Sequence, residues 1–384
     1  MRKKAGIMYL TIAGVVVILN IIAWCSTTFC DAYIKYVFPV WVNTYGRFMG
    51  MFSFSVGELL LVAGILCVFL CVIFVIICLM LGVYPLLKGN GYTPGKIRYS
   101  LWKLSKGYFC FFAWVLLGVC MIMTLNCTIL YHASTFSEQY HGEEDGNYTL
   151  EDLIKVRNLV VERCNALSAE MERDANGDIL YDGDIKAEAI AAMQKLGKKY
   201  DQLDGYYPRP KPLAASDFFS QQYIAGYYFP FSMEANYNDI MYIANYPATL
   251  CHELAHLRGY IYEDEAGFIS YLACVQSEDK FFQYSGYLSV LYYLDNDLWD
   301  AVGLDGYMKE PAILPQVHED DIFLKQTDWD RINEEAVIET EIVDEISDEF
   351  TDTVLKANGV EDGMISYNRV VELLMWYYSE EREQ

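Results

Sequence analysis

Three long uncharged apolar runs dominate the first third of this chain. Residues 5–24, 59–87 and 107–131 hold no Asp, Glu, Lys or Arg, and each meets the roughly 20 apolar residues a helix needs to cross a bilayer. The pattern predicts three transmembrane helices. Arg2, Lys3 and Lys4 ahead of the first run also suit a signal peptide. No small-x-small cleavage site follows, and Trp24 before Cys25 disfavours a lipoprotein signal, so an uncleaved anchor is expected.

Beyond Tyr131 the pattern changes. Residues 132–148 are polar and acidic and read as a short stalk. Thr149 with Glu151 and Asp152 starts a helix whose apolar positions are Leu153, Val156, Val160 and Cys164. A second helix is expected over 185–203. Between them, Asp174, Asn176 and Asp178 resemble the start of a calcium loop, but Ile185 stands where its twelfth-position glutamate belongs, so an acidic turn is expected. Tyr206 to Pro212 read as an extended passage. Residues 222–231 and 237–243 are rich in strand formers and predict two short strands. Helix returns from Glu263 to about Leu294, along an acidic stretch at 317–356, and over 366–378 after a turn at Asp362-Gly363. The expected fold is a multi-pass membrane protein: a three-helix membrane part, 1–131, then a mainly α-helical domain with a small sheet, 132–384.

Charge orients the membrane part. Through residue 131 there are 10 Lys/Arg against 2 Asp/Glu. Most lie at the amino terminus and between the second and third runs (Lys88, Lys96, Arg98, Lys103, Lys106), the flanks that stay cytoplasmic. Three crossings then put residues 132–384 outside the cell membrane. That remainder carries 18 Lys/Arg against 50 Asp/Glu, which argues against binding nucleic acid by electrostatics. The expected partners are the lipid bilayer and a peptide or protein substrate; the oligomeric state is left open. No charge lies within the runs, which disfavours a transport path. Six of the 11 cysteines fall in the second and third runs, so no disulfide framework is expected.

The candidate chemistry is local. His252-Glu253-Leu254-Ala255-His256 puts two imidazoles four residues apart, on one face of a helix, where both can hold one metal ion. Glu253 between them can act as general base toward a metal-activated water. A catalytic zinc site needs a third ligand and an open position; Glu263 or Glu265 completes the set. Pro247 suits the first turn of that helix, Thr249 can help satisfy its open amides, and Gly259 suits its left-handed end. Tyr260, Tyr262, Tyr284, Tyr287, Tyr292 and Tyr293 are candidate oxyanion donors. The same ligands also suit iron, but the adjacent glutamate favours hydrolysis with Zn2+. The strands before the motif suit an edge that pairs with an extended substrate.

With these residues the chain resembles a bacterial membrane-protein family catalogued as domain of unknown function 3810. The markers are Tyr228-Phe-Pro-Phe231, Glu234 to Asn238, Pro247 to His256 with Gly259, Glu263 to Ala266, Tyr284 to Tyr287 and Gly363 to Val371. The resemblance implies a zincin-like HExxH domain. It also favours Glu263 as third ligand, because family members carry Asn where this chain has Gly267, four residues on. The expected function is therefore a membrane-anchored zinc metallopeptidase, with His252, His256 and Glu263 as ligands and Glu253 as base. The alternative is a non-catalytic membrane receptor or scaffold with a structural metal.

Overall fold

A computed structural model describes residues 2–88, 95–140, 148–360, 363, 367 and 369–380. Part of the expected stalk (141–147) and Asp362 of the expected turn lie outside the described residues. Among the described residues three helices are long and apolar enough to cross a membrane, Lys4–Cys25, Val56–Gly82 and Lys96–Tyr131. The first lies within α1 (Arg2–Cys25). The third begins earlier than its uncharged run, because Lys and Arg are good helix formers outside the bilayer and extend the helix.

The connection after α1 forms α2 (Thr27–Tyr36) and shorter helical turns up to Met49. Cys30, Tyr33, Ile34, Phe38 and Val42 are buried in the same core as Val160, Leu254 and Phe268. Ser134 donates to Asp31 through its N–H and its hydroxyl, each at 2.8 Å. Apolar spacing on one short connection did not reveal this shared core.

After the second span, α3 (Val56–Lys88), and α4 (Lys96–Met123), which continues helically to Tyr131, comes α5 (Phe136–Tyr140). Residues 132–140 were expected as stalk. Instead, Phe136 is fully buried among Tyr140, Tyr200, Tyr260 and Phe268, because two aromatic rings in a polar segment suffice to anchor it. Then α6 (Leu150–Ser168) starts at a Thr149–Asp152 capping box. Asp174 accepts from Asn176 N and Asp178 N, forming the expected acidic turn. The next helix, α7 (Ile185–Leu196), ends at Gly197, earlier than expected.

The sheet has three strands, β1 (Lys211–Leu213), β2 (Gly226–Phe229) and β3 (Glu234–Asn238), in the order β1-β3-β2. Central β3 pairs parallel with β1 and antiparallel with β2, with Gly226 opposite Tyr237. The second strand thus starts before the expected 237–243. Glu234 is a poor strand former, but Lys211 neutralises it inside the sheet, which allows the early start. β1 was hidden in the proline-rich passage, where Pro212 fits at a sheet edge.

Helices α8 (Tyr246–His256), α9 (Glu263–Val275) and α10 (Lys280–Tyr307) pack on α6, α7 and the sheet. The expected helix to Leu294 is two helices. Asp279 divides them, its carboxylate accepting from Phe281 N. The acidic stretch is likewise broken, into Pro315–Asp320, Gln326–Glu335 and Thr340–Ala357. The last helix, Val370–Glu380, packs Leu374 against the core.

Candidate metal centre

The motif helix α8 starts with proline in its first turn, as expected. Its amide at Ala248 is satisfied from outside, by Ser285 Oγ of α10 at 3.2 Å, while Thr249 turns to Met241 Sδ. Leu254, Ala255 and Leu257 are fully buried, so the helix is fixed on one face. Gly259 follows with φ +93°, the left-handed geometry that lets the chain reverse and begin α9.

That reversal brings the ligand candidates together. One ligand atom each from His252, His256 and Glu263 lies within 4.8 Å of the others. Glu263 Oε2 stands 2.9 Å from His252 Nε2 and 3.8 Å from His256 Nε2. His256 Nδ1 lies 2.7 Å from the Tyr260 carbonyl; as a donor there it leaves Nε2 with a free lone pair. The His256 side chain is 5% exposed, against 21% for His252 and 23% for Glu263, so the open side of the cluster is at His252 and Glu263.

Burial pushes His256 down to about 4, keeping it neutral at ordinary pH. Burial also opposes charge on His252, but the Glu263 hydrogen bond and charge outweigh it and leave its pKa raised. Burial acts to raise Glu263, and the two histidines overcome that and hold it low. This donor set fits a metal: two imidazole nitrogens and a carboxylate, gathered in a buried site with an open face.

Glu253 is 4% exposed, and its Oε2 is buried without a hydrogen-bond partner among the described residues. Burial pushes it up to about 8. Its carboxylate lies against β2, where a Cβ on Gly226 would stand 2.5 Å from Oε1. β2 is an edge strand among the described residues, with the general-base candidate over its first residue.

Glu265 goes elsewhere. It accepts from Ser137 N at 3.2 Å and lines a cavity of about 440 Å³ with Thr135, Asp264 and Arg369, apart from the three clustered residues. Among the tyrosines, Tyr262 donates to the Tyr131 carbonyl, Tyr284 to Asp320 and Tyr260 to Gln139. Tyr293 is close enough to Glu263 to feel its charge, after burial the main cause raising its hydroxyl. Tyr367 is raised by burial and then by Glu263, and it also feels Glu253. The sequence signalled Tyr367 only as part of the Gly363 to Val371 marker, with no role attached.

A family model described as Protein of unknown function (DUF3810) matches residues 33–375. The chain belongs to the DUF3810 family. No curated protein and no solved structure matches it. The DUF3810 match begins at Tyr33, inside the first connection, in keeping with the burial of that residue in the common core.

Proposed function

We propose that this DUF3810 protein is a membrane-anchored zinc metallopeptidase whose zincin-like domain faces the outside of the cell. The observation that carries the reading is the convergence of His252, His256 and Glu263 beside a buried Glu253 whose Oε2 has no partner among the described residues. The sidedness rests on the basic amino terminus and second connection, and on the packing of the first connection against the large domain.

His252, His256 and Glu263 would hold the zinc ion, which supplies Lewis acidity that brings the pKa of a water toward about 7. The Tyr260 carbonyl orients His256 by accepting from Nδ1. Positive charge at the three ligands favours the ionised form of Glu253 over the protonated form it otherwise keeps up to about pH 8. Ionised Glu253 takes a proton at Oε2 from the attacking water and passes it to the leaving amine. β2, an edge strand among the described residues, would offer backbone groups near Gly226 to an extended peptide. Tyr293 and Tyr367, whose hydroxyls feel the charge of Glu263, are candidate donors to a developing oxyanion.

Glu253→Gln tests the reading. Peptide turnover by the zinc-loaded full chain should fall by about 10²–10⁴-fold with zinc content unchanged. A zinc-bound chain with no turnover before or after the change would instead be a receptor or scaffold with a structural metal.

A further inference from the structure

The metal centre stands beside the ends of the membrane helices. The Tyr262 hydroxyl donates at 2.7 Å to the carbonyl of Tyr131, the last residue of the third span, and Tyr262 immediately precedes Glu263. Asn126 Nδ2 donates to the Pro230 carbonyl at 2.7 Å, tying the same span to the end of β2. At the start of the second span, Gly57 N donates to Glu234 at 2.9 Å, and the Glu58 carboxylate accepts from Ala214 N and Ala215 N. The sheet therefore rests on two span ends.

β2 connects the site to these span ends. Its first residue, Gly226, lies against the Glu253 carboxylate; a Cβ on Gly57 would overlap the ring of its last residue, Phe229. From Gly226 to Phe229 the strand covers about 10 Å. The uncharged run 107–131 rises about 37 Å as a helix, against about 30 Å of hydrocarbon, so Tyr131 ends in the headgroup layer. The first connection adds exposed Val40, Trp41, Phe48, Met51, Phe52 and Phe54 beside the start of the second span, an aromatic-rich surface suited to that layer.

We infer that the substrate is a polypeptide anchored in the same membrane, cut within about five residues of its anchor. The inference rests on the peptidase reading of the site. A chain that leaves the bilayer extended and follows β2, an edge strand among the described residues, would reach Glu253 after about three to five residues, at about 3.3 Å each. Confinement to the membrane raises its local concentration as a tether does, a gain of about 10²-fold or more that a soluble peptide lacks.

Two measurements on the full chain in lipid vesicles test this. In the first, Co2+ replaces zinc and lipids carry a nitroxide at the headgroup. Cobalt-dependent relaxation of the nitroxide, absent in His252→Ala, is expected; bound cobalt without any relaxation overturns the inference whatever the chemistry. In the second, one randomised peptide pool is offered free, acyl-anchored through a spacer of about three residues, and acyl-anchored through about fifteen. Cleavage of the short-spacer pool about a hundredfold faster than the free pool, lost in Glu253→Gln, is expected. Equal cleavage of the free pool overturns the substrate class and leaves the peptidase standing. No cleavage of any pool by the metal-loaded chain overturns both.

Discussion

Gly226 and Glu253 touch across the strand–helix interface, so closely that a β-carbon on Gly226 would stand 2.5 Å from Glu253 Oε1. Gly226→Ala must displace the carboxylate or the strand. A shift of about 1 Å in a positioned group costs about a hundredfold in rate. We expect peptide turnover to fall by that factor while zinc content and fold hold, read by steady-state kinetics beside metal analysis. Unchanged turnover would remove Glu253 from its role as base.

His256 depends on the turn that follows it. Gly259 adopts φ +93°, and a Cβ there would stand 3.0 Å from the Ile34 side chain. Gly259→Val strains the turn that presents the Tyr260 carbonyl to His256 Nδ1. Loss of such a supporting bond weakens metal binding about 10–100-fold. Competition titration with a chromophoric chelator reads the affinity; equal affinities would contradict the orienting role.

Metal binding should release protons. Glu253, pushed up to about 8 by burial, carries a proton at pH 7 in the metal-free protein, and the Glu263 hydrogen bond and charge make His252 hold its proton more tightly than a free imidazole. Binding requires neutral His252 and favours ionised Glu253. Affinity therefore climbs as pH rises toward about 8, where Glu253 ionises. Calorimetry in buffers of different ionisation heat should find net proton release at pH 7. Glu263→Gln removes the charge that raises His252, and proton competition should then move to lower pH. A pH-independent affinity would contradict this account.

The sheet is clamped to the second span by a buried ion pair. Lys211 Nζ donates to Glu234 and to the Met49 carbonyl, while Glu234 Oε2 accepts from Gly57 N and Ser232 Oγ. Both side chains are almost fully buried. Glu234→Ala strands a buried ammonium, at a cost of about 3–5 kcal/mol. Thermal unfolding in detergent should show a large fall in Tm. The double change Glu234→Ala with Lys211→Met should recover much of it.

What could be read from the sequence was local. Two histidines four residues apart on a helix need only helical periodicity, and Pro247 and Gly259 bracket that helix in plain view. The apolar runs were legible for the same reason. Residue spacing alone left Glu263 and Glu265 open and only the resemblance favoured Glu263; the turn at Gly259 sends Glu263 to the histidines and Glu265 to Ser137. The burial of Phe136, the pairing of Asp31 with Ser134 and the clamp from Lys211 to Glu234 join residues far apart in the chain. No periodicity encodes such partners. The same holds for Tyr367, which reaches the cluster from the far end of the chain.

Gly267 lies on α9, four residues after Glu263. A side chain there would meet nothing within 4 Å, so Gly267→Asn should fold without strain and gain a few tenths of a kcal/mol of helix stability.

The most direct test is the metal content of the purified full chain beside its His252→Ala variant; the full chain is needed because the first connection shares the core. The account predicts about one zinc per chain, retained through dialysis and lost in the variant. A folded chain that takes up no zinc, or a variant that holds as much as the parent, would contradict it.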